Sequence, residues 1–78
     1  MDMKFSELVE KYERENNGRV IFTVIDNANN VMGEYEEEEY NKGDEESVNI
    51  YKTYCDMNCR IISVAHNMMW VKVVCEIL

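Results

Sequence analysis

Residues 59–77 read CRIISVAHNMMWVKVVCEI, and this stretch decides the fold. Two runs rich in β-branched residues, 59–65 and 69–77, flank His66-Asn67, a pattern that predicts a β-hairpin with a two-residue turn. In the register that this turn sets, Val64 faces Met69 and Ile62 faces Val71. Alternation then predicts a core face that continues through Val73, Cys75 and Ile77. The opposite face is predicted to show Ser63, Trp70, Lys72 and Glu76.

A second β-rich segment, residues 19–26, precedes the hairpin in the chain. Its β-branched and aromatic residues do not alternate strictly with polar ones, which indicates a central strand covered on both faces. The asparagine-rich residues 27–30 predict a turn, and residues 31–37 then return as an antiparallel strand. We expect that strand at the sheet edge, where its charges discourage unwanted strand pairing. In an extended chain, Glu34, Glu36 and Glu38 would share one face, and Tyr35, Glu37 and Glu39 the other.

An amphipathic helix is predicted at the N-terminus, over residues 3–15. Its apolar residues recur at helical spacing: Phe5, Leu8, Val9 and Tyr12. Asp2 is the expected N-cap, and Gly18 is expected to end the helix in a left-handed conformation.

Residues 45–55 fit either a helix or a strand, and their β-branched and aromatic content favours a strand. The 78 residues thus predict one α+β domain, residues 1–78, with one N-terminal helix packed on a four- to five-stranded, mostly antiparallel sheet.

The excess of acidic over basic residues limits the kinds of molecule that the protein can bind. Sixteen acidic and eight basic residues give a net charge of −8, which repels nucleic acids and anionic membranes and favours a basic protein as partner. The chain lacks an apolar run of the roughly 18 to 20 residues that a membrane span needs, and its first residues lack the apolar core of a signal peptide. Three cysteines, an odd number, do not form a disulfide framework. A cytoplasmic protein is expected.

No motif predicts catalysis. The residue types of a zinc site are present, but only Cys55 and Cys59 approach the ligand spacing that structural zinc sites use. The single histidine, His66, lies on a predicted turn without a nucleophile beside it. Residues 26–37 have a valine, Val31, at the position where a calcium-binding loop needs its glycine. A non-enzymatic protein without a metal or cofactor is therefore expected.

An acidic stretch over residues 32–46 is the strongest functional signal. If extended, Glu36 to Glu39 within it would place one charge per about 3.3 Å, close to the spacing of about 3.4 Å between phosphates along one nucleic-acid strand. Arginine side chains that bind phosphates could bind these carboxylates, and the tyrosines could offer planar surfaces in place of bases. The alternative interpretation is a solvated face that keeps a small protein soluble. The candidate partner-binding residues are Glu34, Tyr35, Glu36, Glu37, Glu38, Glu39, Tyr40, Asp44, Glu45 and Glu46.

The plan of a short helix, a strand at Val20–Ile25 and a hairpin ending in Trp70-Val71-Lys72-Val73-Val74 resembles small accessory proteins of phages and mobile elements. In size, acidity and lack of an enzyme motif, the chain is similar to anti-CRISPR proteins that act as DNA mimics. This resemblance implies an inhibitor that blocks the DNA-binding cleft of a CRISPR effector nuclease in the host cytoplasm. The alternative is a structural or adaptor module that pairs through an exposed sheet edge, as a homodimer, with its acids serving solubility.

Overall fold

The computed structural model describes residues 2–78, which form a five-stranded mixed sheet and three helices. The elements in chain order are β1 Met3–Lys4, α1 Phe5–Glu15, β2 Arg19–Ile25, β3 Val31–Glu36, α2 Glu37–Asn41, α3 Glu45–Tyr54, β4 Asn58–His66 and β5 Trp70–Ile77. The predicted α+β class and mostly antiparallel sheet are confirmed. The prediction of a single helix is wrong, because α2 and α3 are also present.

The strands lie in the order β1-β4-β5-β2-β3. Three of the four pairings are antiparallel, and the pairing of β2 with β5 is parallel. β2 therefore lies inside the sheet, as its composition predicts, and the β4–β5 hairpin extends the sheet from it. β3 forms one edge. The short β1 covers only the first two residues of β4 on the other side.

One face of the sheet carries the core. Val20, Phe22 and Val24 of β2 are buried, and their partners in β5, Val71, Val73 and Cys75, are buried with them. Since residues two apart in a strand share a face, the whole core lies on one side of the sheet. The described helices pack against that side: Phe5 of α1 contacts Phe22 and Tyr35, and α3 contributes Ile50.

The N-terminal helix ends at Glu15, as predicted, but begins two residues later than predicted. Met3 and Lys4 pair with β4 as a strand, so α1 begins at Phe5, and the carboxylate of Glu7 accepts a hydrogen bond from the Lys4 backbone N–H. Asp2 is therefore not the N-cap. The helix ends before Asn16, whose amide donates to the Tyr12 carbonyl, and Gly18 does not have a positive φ.

The prediction of a strand over residues 45–55 is wrong, since Glu45–Tyr54 is a helix. Asp44 caps α3, because its carboxylate accepts a hydrogen bond from the Ser47 backbone N–H at 3.1 Å. The helix buries Ser47 and Ile50 one turn apart. This local capping signal outweighs the β-branched content of the segment.

The hairpin is confirmed, but its register is shifted. Val64 pairs with Val73 instead of Met69, and the turn lies over residues 67–69, where the Asn67 side chain accepts hydrogen bonds from two backbone N–H groups. The shift is four residues at Val64, but the bulge between Ile61 and Ser63 makes it odd towards the start of β4 and places Cys59 on the core face. Val73 and Cys75 of β5 keep the core face that was predicted. Ile62 was also predicted to be core, but a bulge between Ile61 and Ser63 leaves it 51% exposed.

Within residues 2–78, no helix has both the length and the apolar composition that a membrane span requires.

Candidate functional site

Of the two tyrosines in the acidic stretch, Tyr35 belongs to the core, and Tyr40 packs against that core while staying partly exposed. Tyr35 is only 3% exposed and packs edge-on to Phe5, with its ring centroid 5.9 Å away. Tyr40 of α2 lies against Tyr35 and Tyr51, at centroid distances of 5.9 and 5.4 Å. Burial raises the pKa of Tyr35 well above its ordinary value. The expectation that these rings replace stacked bases is therefore wrong; they instead anchor α2 and α3 to the sheet.

The acidic stretch is not an extended row. β3 ends at Glu36, and the next three glutamates form the first turn of α2. A helix rises only about 1.5 Å per residue and turns its side chains outward in different directions, so the predicted match to one strand of phosphates fails. Glu34 and Glu36 do share a face, as predicted, because they pair with Thr23 and Ile21 of β2.

An ion pair between Arg19 and Glu36 lies at the centre of the region. The guanidinium of Arg19 donates two hydrogen bonds to the Glu36 carboxylate, at 2.6 and 2.9 Å. This bidentate geometry is the strong form of such a pair. The hydrogen bond from Arg19 holds the pKa of Glu36 below its ordinary value, and Glu36 in turn raises the pKa of Arg19. The pair fastens the end of β3 to the start of β2.

Two clefts adjoin this ion pair, and both are lined by carboxylates. The larger, a cavity of about 450 Å³, lies between the end of α1 and the start of α2. The smaller, of about 200 Å³, lies between β3 and the start of α3. We call this region the acidic corner; its carboxylates are Glu13, Glu34, Glu36, Glu37, Glu38, Glu39, Asp44 and Glu46.

The acidic corner holds most of the net charge of the protein. Lys42 lies 3.6 Å from a Glu38 oxygen and 3.5 Å from a Glu39 oxygen, and Arg19 is the other cation. Eight carboxylates against two cations leave six of the eight net negative charges of the chain in this region. Seven of the ten predicted site residues line the clefts as carboxylates. Glu45 lines neither cleft, although it begins α3 beside them.

Glu13 is the site residue that the sequence did not indicate. It lies in α1, where the 3.6-residue pattern assigns it to a polar face, and its proximity to α2 arises only from the tertiary fold. Burial, together with the negative charges of Glu37 and Glu36, raises the pKa of Glu13 to about 7. At neutral pH this carboxyl group is therefore partly protonated.

The start of α3 is fixed to β3 by side-chain hydrogen bonds. The backbone N–H of Glu34 donates to the Glu46 carboxylate, and the backbone N–H of Glu36 donates to the Ser47 hydroxyl, each at 3.2 Å. These contacts occupy N–H groups on the outer edge of β3, which would otherwise be open to another strand. Gly33 makes this approach possible, because a Cβ there would lie 2.7 Å from Cδ1 of Ile50. The acidic corner is thus held on ordered elements.

The cysteines and the histidine do not form a metal site. Within the described residues, no group of three or more His, Cys, Asp or Glu side chains is placed to hold a metal ion. Cys59 and Cys75 are buried neighbours, because Cys59 pairs with Ile77 and Cys75 lies two residues earlier on the same face of β5. A hydrogen bond between their thiols lowers the pKa of Cys59, and the same bond, with burial, raises the pKa of Cys75.

Comparison with protein-family models, curated proteins and solved structures gave no match. The acidic corner must therefore be interpreted from its own geometry.

Proposed function

We propose that the protein is a non-enzymatic inhibitor that places its acidic corner in the basic nucleic-acid-binding groove of another protein. The observation that carries this proposal is the gathering of eight carboxylates around two adjoining clefts with only two cations between them. Such a concentration of one sign of charge costs folding energy through self-repulsion. A basic surface would relieve that repulsion on binding.

The chemistry of the surface suits arginine and lysine side chains. Carboxylates, like phosphates, accept the paired N–H groups of a guanidinium in a bidentate geometry. The Arg19–Glu36 pair is an internal example of that contact at this very place. Because Glu37, Glu38 and Glu39 lie on one turn of helix, the surface mimics a cluster of phosphates and not a linear strand.

The rigidity of the acidic corner supports the same proposal. α2 is anchored through Tyr40, and α3 is anchored through Asp44 and Ser47. A surface that is already ordered loses less conformational entropy when it binds, so more of the electrostatic attraction appears as affinity. This distinguishes the acidic corner from a flexible acidic tail.

The specific target that we propose is a CRISPR effector nuclease, with the inhibitor competing for the cleft that receives target DNA. The basis is the resemblance in size, acidity and organisation to anti-CRISPR proteins of the DNA-mimic type. The binding surface differs from the one predicted in sequence: the carboxylates of the acidic corner take part, and Tyr35 and Tyr40 do not.

A cleavage assay with a purified, guide-loaded effector nuclease tests the proposal. The test variant replaces Glu37, Glu38 and Glu39 with glutamine, which preserves shape and helix propensity while removing three charges. The matched control removes three charges elsewhere, through Glu10→Gln, Glu15→Gln and Asp56→Asn, all at exposed positions. Both variants have the same net charge.

We expect the test variant to inhibit about 10- to 100-fold more weakly than the unmodified protein, since exposed ion pairs contribute about 0.5 to 1 kcal/mol each. The control should change inhibition by less than about threefold. Equal losses in the two variants would show that only net charge matters. Unchanged inhibition in the test variant, or no inhibition by the unmodified protein, would refute the proposal.

A further inference from the structure

The face of the sheet opposite the helices is uncovered by any described element. Its centre is half-buried and largely apolar: Ile21 and Thr23 of β2 lie beside Trp70 and Val74 of β5, with the exposed Lys72 between the last two. Ile25 on the same face is 8% exposed, yet it is not part of the main core. An apolar centre of this kind with a polar border is typical of a surface that contacts another protein.

The charges on this face balance, unlike those of the rest of the molecule. Arg19 pairs with Glu36, Arg60 lies 4.0 Å from Glu76, and Lys72 lies over the ring of Trp70 at 5.4 Å from its centroid. Together with Glu34 at the border, this face of the sheet carries three cations and three carboxylates. The net charge of −8 thus lies outside this face. It is the surface on which two copies of the chain approach with the least repulsion.

The edges of the sheet are less suited to self-association. The outer edge of β3 is occupied by hydrogen bonds from Glu34 and Glu36 to α3. The outer edge of β4 is interrupted by the bulge between Ile61 and Ser63, a feature that disfavours the addition of a further strand. An association through the sheet therefore uses its face.

We propose that the protein forms a homodimer in which the uncovered faces of two sheets pack together. A two-fold axis parallel to the strands would place β4, with Arg60, over β3 of the second copy, with Glu34. β5 would lie over β2, so that Val74 meets the apolar centre of the second copy. This arrangement buries apolar residues on both sides and brings opposite charges together at the border.

The size of the face sets the strength of this contact. β2, β5 and β4 contain 7, 8 and 9 residues. With strands about 4.8 Å apart and residues about 3.3 Å apart, these three strands cover roughly 400 Å², and β3 brings the face to roughly 500 Å², an area typical of a weak, reversible contact. We therefore expect a dissociation constant in the micromolar range. The larger cleft of the acidic corner stays accessible, because it lies between α1 and α2, whereas the smaller cleft, which Ile21 and Glu34 of this face help to line, is partly covered.

Salt gives the dimer a distinctive signature. Two bodies of like charge repel over about 30 Å at 10 mM ionic strength, but over only about 8 Å at 150 mM. Raising the ionic strength from 10 to 150 mM should therefore strengthen the dimer and lower its dissociation constant by more than about tenfold. Binding of a basic partner to the acidic corner would show the opposite dependence, so the two contacts can be distinguished.

Sedimentation equilibrium on the full chain tests the dimer, together with the fluorescence of Trp70, the single tryptophan of the chain. The test variant is Lys72→Glu, and the control is Lys11→Glu. Both lysines are exposed and lie over an aromatic ring, at 5.4 and 5.9 Å, and both substitutions change the net charge equally. Circular dichroism confirms that each variant is folded.

We expect a mass near twice 9.3 kDa at about 100 μM protein and 150 mM salt, with Trp70 emission shifting to shorter wavelength as concentration rises. Lys72→Glu should weaken the dimer at least about tenfold, while Lys11→Glu should leave it within about twofold. A monomer under all these conditions would overturn the proposal. A dimer that Lys72→Glu and Lys11→Glu affect equally would overturn it too, since the contact would then lie elsewhere.

Discussion

Gly33 allows α3 to pack on β3, and its replacement by alanine should destabilise the protein strongly. A Cβ there would lie 2.7 Å from Cδ1 and 2.9 Å from Cγ1 of Ile50, far inside van der Waals contact. Overpacking of this kind costs about 1 to 3 kcal/mol. The φ of +154° adds backbone strain of about 1 kcal/mol or more, and the stiffer unfolded chain returns about 0.5 kcal/mol. We expect a net loss of about 2 to 3 kcal/mol.

Urea denaturation followed by Trp70 fluorescence and circular dichroism measures this loss. In a domain of this size it corresponds to a melting temperature lowered by about 10 to 20 °C. Gly43→Ala serves as the control, because its φ is also positive, at +83°, but no atom lies within 4 Å of the added Cβ. It should cost about 1 kcal/mol, from backbone strain alone.

A double substitution tests whether contact with Ile50 causes the loss of stability in Gly33→Ala. Ile50→Val removes Cδ1, the atom in closest contact, and by itself should cost about 0.5 to 1.5 kcal/mol. Combined with Gly33→Ala it should recover at least about 1 kcal/mol relative to the sum of the two single losses. Strict additivity, or a loss below about 0.5 kcal/mol for Gly33→Ala, would refute the packing of α3 that forms the acidic corner.

Three further predictions concern the same elements. Asp44→Ala removes the cap of α3 and should lower the free energy of unfolding by about 1 kcal/mol, measured by urea denaturation, whereas Asp44→Asn should lose much less. The raised pKa of Glu13 means that the folded state binds a proton more tightly than the unfolded state, so stability should fall as pH rises from about 4.5 to 7. Glu13→Gln should flatten that part of the pH profile, and an unchanged profile would contradict the contact of Glu13 with the α2 glutamates. In thiol titration of the native protein, Cys55 should react first because Cys59 and Cys75 are buried, and simultaneous reaction of all three would contradict the fold.

The sheet could be predicted from sequence because its signals are local and repeated. β-branched runs located β2, β4 and β5, and alternation assigned Val73 and Cys75 to the core. The hairpin register could not be read from composition, since Asn67 forms its turn through its own side chain and the bulge at Ile61 changes the pairing. The faces of β5 were predicted correctly in spite of that error, because alternation within the strand fixes them, whereas the bulge moves Ile62 out of the core and Cys59 into it.

The helices α2 and α3 were missed for a different reason. The run of glutamates was interpreted by charge spacing in an extended chain, but Tyr40 packs on Tyr35 and Tyr51 only if the segment turns into a helix. Asp44 is a helix-capping residue that can be recognised in the sequence, and its carboxylate accepts the Ser47 backbone N–H at the start of α3. The place of Glu13 in the site depends on tertiary contacts and could not be predicted from its position in α1.

The most direct test of the account is hydrogen exchange measured on the protein, free and in complex with a guide-loaded CRISPR effector nuclease. The proposal predicts that protection gained on binding is concentrated in residues 36–46 and at Glu13, and that excess target DNA removes it. Protection confined to the exposed side of α1 or to the uncovered face of the sheet would contradict it. So would a complex that forms equally well when the DNA cleft is already filled.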